Sequence, residues 1–83
     1  MKSSTSTTFR KQFAELEPDV RRRARKQFRL WQDDHWHPSL HFKRAGAYWS
    51  ARVDRDHRAL GVESDGTIVW FYIGKHDGYE RRI

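Results

Sequence analysis

The sequence predicts an α+β domain: an N-terminal helical hairpin packed on a small, twisted, mostly antiparallel sheet of three to four strands. Three observations carry this. Apolar residues of the N-terminal half recur at helical spacing, and those of the C-terminal half alternate or run on continuously, as in strands. All the helix-like segments precede all the strand-like ones, which is the order of an α+β chain rather than an alternating one.

Each element has its own signal. Ser3 to Thr8 is polar and low in complexity, so residues 1–8 are expected to be a flexible tail and residues 9–83 a single domain. Phe9, Phe13 and Leu16 stand at i, i+4 and i+7, one face of a first helix that Thr7 or Thr8 would cap. Pro18 fits a first helical turn, and Asp19 suits the positive end of the helix dipole. A second helix is expected from Pro18 to Gln32, with Val20, Ala24, Phe28 and Trp31 as its buried stripe. Arg21, Arg22, Arg25, Lys26 and Arg29 cover the rest of it.

The stretch Asp33-Asp34-His35-Trp36-His37-Pro38 ends that helix, because the residue before a proline avoids the helical region. Leu40-His41-Phe42-Lys43 alternates and reads as a strand start, with Arg44–Ala47 as a turn. In the strand from Tyr48 to Val53, Trp49, Ala51 and Val53 share one face while Ser50 and Arg52 share the other. Asp54-Arg55-Asp56 leads into a return strand at His57–Leu60, and Glu63-Ser64-Asp65-Gly66 has the chemistry of a hairpin turn. The run 67–73 is apolar on both faces and suits a central strand; Gly74–Tyr79 follows as a tail.

Composition narrows the function classes. At 83 residues the chain makes one domain, burying roughly 60–65% of its unfolded surface. It has no cysteine, which excludes a disulfide framework and a thiolate metal site and fits a reducing cytoplasm. No apolar stretch approaches the ~20 residues of a membrane span, and Met1-Lys2-Ser3-Ser4 lacks the apolar run of a signal peptide. Seventeen basic against 11 acidic side chains give a net charge of +6, which attracts polyanions: nucleic acid or an acidic protein segment.

Cutting RNA without a metal takes three roles. A base removes the 2′-hydroxyl proton, cations hold the charge of the phosphorane, and an acid protonates the leaving 5′-oxygen. Arg52 and Arg58 flank a tight turn and suit the middle role, since a guanidinium meets two phosphate oxygens at once and keeps its charge. The plainer reading of both is a cross-strand ion pair with Asp54, Asp56 or Glu63. His76 follows the central strand and titrates in the range of an acid or base, with Tyr79 three residues on and Asp77 beside it to orient it. The plainer reading there is a surface histidine. His35 and His37 form a His-x-His pair, a weak metal signal without a third ligand at fixed spacing, and no metal or other cofactor is expected. Trp36, Tyr48, Trp49, Trp70, Phe71 and Tyr72 could stack on bases, with core packing favoured for Trp49 and Trp70.

The segment Tyr48-Trp-Ser-Ala-Arg-Val-Asp-Arg-Asp-His-Arg-Ala-Leu60 resembles the RelE/ParE superfamily of bacterial toxins, its RelE-like and YoeB-like members above all. His37–Lys43 and Ile73–Tyr79 are also similar to family segments, so the resemblance extends over nearly the whole chain from about Phe9. It implies two helices on a twisted, mostly antiparallel sheet. It also implies a toxin of a type II toxin–antitoxin pair acting as a ribosome-dependent mRNA endonuclease in the cytoplasm. The implied partners are a cognate antitoxin, with which it would form a hetero-oligomer, the ribosome and mRNA, and no membrane. ParE-like relatives inhibit DNA gyrase instead, so a gyrase inhibitor or an inactive antitoxin-binding relative is the alternative.

Carried over by position, Arg52, Arg58 and Lys43 match the family's phosphate-binding cations, and His76 matches its C-terminal acid or base, assisted by Tyr79. Lys75, Arg44, Arg55 and Arg81 are the further RNA-binding cations of this reading. The glutamate base of YoeB-like toxins has no counterpart, and His41 stands in its neighbourhood as the candidate base. The family's usual first strand has no counterpart in the Ser/Thr opening, which would leave a sheet edge open to a partner strand.

Overall fold

The computed structural model describes residues 1–83. Its elements are β1 (Lys2–Thr5), α1 (Thr7–Ala14), α2 (Pro18–Asp33), a 3₁₀ turn (Pro38–Leu40), β2 (Lys43–Ala45), β3 (Tyr48–Arg52), β4 (His57–Ser64), β5 (Thr67–Lys75) and α3 (His76–Arg82). The strands form one sheet in the order β1-β5-β4-β3-β2, antiparallel except for the parallel β1–β5 pair. The α+β hairpin-on-sheet architecture is the expected one, with one strand more. No helix is long and apolar enough to cross a membrane.

That extra strand corrects the expected tail and the expected open edge. Lys2–Thr5 pairs with Thr67–Trp70, and the Lys2 and Ser6 amides donate to the Gly66 and Trp70 carbonyls at 3.1 and 2.9 Å. It carries no apolar side chain, so no alternation announces it; main-chain hydrogen bonds to the β5 edge hold it in place. Beyond the end of β1, the Ile73 amide on the same edge donates to Gln12 Oε1 of α1 at 3.1 Å. Strand and helix thus share the task of satisfying one side of β5.

The helical hairpin follows its sequence signals with two changes. Ser6, rather than Thr7 or Thr8, caps α1 by accepting the Phe9 N–H at 3.0 Å. Pro18 opens α2 as expected, and Arg21 donates to the Leu16 and Ala14 carbonyls, satisfying the end of α1. Val20, Ala24 and Trp31 are buried, but Phe28 remains 40% exposed. It stacks on Trp31 at the mouth of a groove between the hairpin and the sheet.

The strands also shift locally. Leu40 closes the 3₁₀ turn and His41 adopts a left-handed conformation (φ 45°), so β2 begins only at Lys43 and the tight turn moves to Gly46-Ala47. The β4–β5 hairpin turns at Asp65-Gly66, with φ of 50° and 78°, the signature of a two-residue primed turn. A bulge interrupts the pairing: Leu60 faces Tyr72 and Gly61 faces Trp70, leaving Phe71 as the extra residue. The bulge resets the alternation of β5, so that Trp70 and Ile73 both join the core under the helices. Tyr72 turns to the opposite side, where it packs with Leu60, Ala45 and Tyr79 of α3. The expected C-terminal tail is therefore a helix, and its underside forms a second small core.

Candidate functional site

β3 and β4 pair in a register that sets Arg52 directly opposite Arg58. Their neighbours Ala51 and Ala59 face the helices and join the main core, so both arginines point to the other side of the sheet. Lys43 pairs with Ser50, two residues along β3 from Arg52, and so shares that face. Arg58 is in turn opposite Gly74 of β5, which has no side chain to crowd it. His41 lies outside β2, two residues before Lys43 and in a left-handed conformation, so the β2–β3 register does not extend to it. The Gln27 amide joins these segments, donating to the Ser39 and Arg52 carbonyls at 3.2 and 2.9 Å. One end of the sheet therefore carries Arg52, Arg58 and Gly74 in a row, with His76 two residues beyond.

The ion pairs that would explain the arginines plainly do not form. Arg58 Nη1 donates instead to the carbonyls of Asp54 at 2.6 Å and His57 at 2.9 Å, with a longer bond to Arg55. All three bonds use Nη1, and the Nε–Nη2 edge, the bidentate fork, is left to an external acceptor. Arg52 has no ion pair. Glu63 accepts from the Trp49 indole at 3.1 Å.

His76 opens α3. Its backbone N–H donates to the Asp56 carbonyl at 2.8 Å, so the turn that Arg58 clamps also anchors this helix. The imidazole stacks on Tyr79 with centroids 5.2 Å apart, and Nδ1 meets Glu80 Oε1 at 3.1 Å. Glu80, one helical turn on, thus orients the ring in place of Asp77. Tyr79 is buried and supports His76 from within the second core. Tyr72 fixes α3 from the sheet: its hydroxyl donates to the Lys75 carbonyl at 3.0 Å, and the Arg82 guanidinium lies 4.1 Å over its ring. Burial holds the Tyr72 phenol above its ordinary value; Arg82 and Arg81 pull it down and Asp77 pushes it up.

The remaining expected cations are dispersed. Arg55 is exposed in the β3–β4 turn and Arg81 on α3. Arg44 pairs with Trp49 and Lys75 with His57, which puts both on the opposite side of the sheet from Arg52 and Arg58. His35 and His37 diverge: His35 Nδ1 reaches the Trp31 carbonyl, and His37 Nδ1 meets the Ser39 hydroxyl at 3.0 Å.

Sequence reading missed the Asp54–His57 pair. Asp54 Oδ1 meets His57 Nδ1 at 2.9 Å, both side chains being largely buried, while Asp54 Oδ2 accepts from Arg23 of α2 at 3.1 Å. Burial raises the Asp54 pKa, but hydrogen bonds from His57 and the Asp56 amide, the charge of His57 and the bond from Arg23 outweigh it. The carboxyl is held below its ordinary 3.8. This pair locks the turn on which Arg58 and His76 both depend. An Asp-x-x-His spacing across a tight turn was its only signal.

Between the hairpin and the sheet lies an apolar groove of about 420 Å³, lined by Phe9, Phe13, Phe28, Trp31 and Trp70 with Arg10 and Arg25 at its rim. The indole N–H groups of Trp31 and Trp70, both buried, have no partner.

The family described as the ParE-like toxin domain matches residues 18–81. No curated protein matches the chain by sequence. Among solved structures, the chain is similar to the RelE toxin of the Methanococcus jannaschii RelB–RelE antitoxin–toxin complex. That match has a TM-score of 0.75 and 14% identity, covering 96% of this chain and 98% of the other. It is also similar to the YoeB/ParE toxin from Agrobacterium tumefaciens (TM-score 0.70, 13% identity, 92% and 99% covered). YafQ from E. coli is comparably similar (TM-score 0.70, 14% identity, 94% and 96% covered). With α2, the whole antiparallel sheet and nearly all of α3 inside the matched region, the chain belongs to the ParE-like toxin domain family of the RelE/ParE superfamily.

Proposed function

We propose that this protein is the toxin of a type II toxin–antitoxin pair and cuts mRNA on the ribosome. The observation that carries the reading is the Arg52–Arg58 pair on the open sheet face. Two arginines paired directly across the strands put like charges on one face with no carboxylate partner, so the arrangement favours an anion beside them. A phosphate with two free oxygens fits that need.

In this reading Arg58, through its free fork, and Arg52 bind the scissile phosphate, and Lys43 holds the next one. His41, two residues ahead of Lys43, takes the proton of the 2′-hydroxyl. The 2′-oxygen attacks phosphorus, and the arginines hold the added charge of the phosphorane. The bond from phosphorus to the 5′-oxygen then breaks, leaving a 2′,3′-cyclic phosphate. His76, with Nδ1 engaged by Glu80, gives the 5′-oxygen a proton from Nε2. Tyr79 positions that imidazole. The ribosome would supply the in-line geometry of the mRNA.

The antitoxin partner is proposed from the relatives and the groove together. The M. jannaschii and E. coli RelE relatives were solved as toxin–antitoxin complexes. In this chain the apolar groove with its arginine rim suits an amphipathic acidic segment. Gyrase inhibition is the second reading, favoured by the ParE-like description of the matched family.

Induced expression in bacteria with primer extension on a reporter mRNA tests both. Cuts in translated mRNA that vanish with Arg58→Ala and with His76→Ala support the endonuclease. Growth arrest with an SOS response and intact mRNA overturns it in favour of gyrase.

A further inference from the structure

We propose that Trp36, backed by Phe42 and Trp49, is a base-stacking platform for single-stranded RNA at the β2 edge of the sheet. The proposal rests on the RNA-directed reading above and adds to it a contact outside the Arg52/Arg58 face.

Trp36 is 62% exposed, more than any other large apolar side chain of the protein. An indole left in water is unfavourable unless something covers it in use. Its position is nonetheless well defined. Its backbone N–H donates to Asp34 Oδ1 at 3.1 Å. Its ring rests on Phe42 and Trp49, with centroids 5.2 and 6.0 Å away. Those two rings stack on each other at 4.6 Å and 19°. Trp49 is fixed in turn by the Glu63 carboxylate and by the Arg44 guanidinium 5.3 Å over its ring. The result is a rigid aromatic wedge supported from behind and open in front, so covering it costs little further ordering.

Charge selects the occupant. β2 is the edge strand, with nothing paired beyond it, and it carries exposed Lys43 and Arg44, of which Arg44 lies over the Trp49 ring of the wedge. They point to opposite sides of the sheet: Arg44 with Trp49, Lys43 with Ser50 on the Arg52/Arg58 face. A strand of alternating flat bases and phosphates matches such a surface, base on indole and phosphate on cation. A strand running from Trp36 to the arginines meets Arg44 and Lys43 at the edge, while the Asp34 and Glu63 carboxylates beside the wedge are engaged by the Trp36 amide and the Trp49 indole.

The test is binding of a short, fluorescently labelled single-stranded oligoadenylate to the full chain, followed by the anisotropy of the label over a range of salt concentrations. Trp36→Ala, whose side chain lies outside the core, is expected to bind roughly tenfold or more weakly, as for loss of one base–aromatic stack. Its salt slope should equal the wild-type slope, because no phosphate contact is lost, and Trp36→Phe should keep most of the affinity. Arg44→Ala should lower the slope by about one. Equal affinity of wild type and Trp36→Ala, or no wild-type binding at low salt, would overturn the platform. So would a Trp36→Ala variant impaired only toward a protein partner. Loss of mRNA cuts with Arg58→Ala is scored separately on ribosomes, so the platform can fail while the endonuclease reading stands.

Discussion

Arg52 and Arg58 face each other across β3 and β4 on the side of the sheet opposite α1 and α2. Like charges directly opposite in an antiparallel pair are destabilising by a fraction of a kcal/mol up to about 1 kcal/mol. Arg52→Ala is therefore expected to leave the fold as stable as the wild type or slightly more so, while removing most cleavage. Arg58→Ala differs, because it also frees the Asp54 and His57 carbonyls, and should cost about 1 kcal/mol. Thermal unfolding of the two variants beside wild type separates them, and added salt should raise the wild-type midpoint more than that of Arg52→Ala.

The Asp54–His57 pair makes a pH-dependent contribution whose sign follows from the lowered Asp54 pKa. A carboxyl with a lower pKa folded than unfolded stabilises the fold fully above its unfolded value. That contribution is lost as the pH falls through the folded value. Wild type should be more stable than Asp54→Asn at neutral pH, and the gap should close as the pH drops below about 4, near the ordinary carboxyl range. Urea denaturation of both proteins across that range measures it. A gap that stays constant into acid would mean the charge of Asp54 is not what stabilises the turn.

Gly74 and Gly78 leave room for the Tyr72 hydroxyl. A Cβ at Gly74 would come 2.6 Å from Tyr72 Oη, and one at Gly78 would also overlap it. Tyr72 is buried and cannot swing away. Gly74→Ala should cost about 1–3 kcal/mol as an overpacking change. It should also tilt α3 and misplace His76. Tyr72→Phe in the same chain should recover part of the loss, giving a non-additive double-mutant cycle in unfolding and in cleavage.

The N-terminal strand gives a fourth prediction. Deleting residues 1–5 strips β5 of its parallel neighbour and should destabilise the domain far more than removal of a loose tail would. Ser6→Ala alone should cost about 1 kcal/mol through the lost α1 cap. Chemical denaturation of both variants distinguishes an integral strand from an appendage.

What the sequence revealed follows the physics of each signal. Val20, Ala24 and Trp31, the alternation of Trp49, Ala51 and Val53, and Asp65-Gly66 at the hairpin all reflect burial or turn strain, which leave local marks in residue choice. β1 leaves none, because Ser and Thr can pair through their backbone without an apolar face. α3 was hidden because Gly78 interrupts its pattern and its buried partner, Tyr72, comes from a strand whose alternation is reset by the bulge. At the site, the direct Arg52–Arg58 register could be inferred from a tight turn between two strands. The Glu80–His76 and Asp54–His57 partnerships could not be singled out, since several carboxylates were equally near in sequence and only folding chose among them.

The central claim is that Arg58, facing Arg52, stabilises charge on a scissile phosphate. The most direct measurement is the single-turnover cleavage rate of mRNA in the A site of programmed ribosomes, with purified wild type and Arg58→Ala at saturating protein. Loss of one such donor corresponds to about 2.7–4 kcal/mol, so the variant should be roughly 10²–10³-fold slower. Equal rates, or a wild type that leaves the bound mRNA intact, would contradict the account.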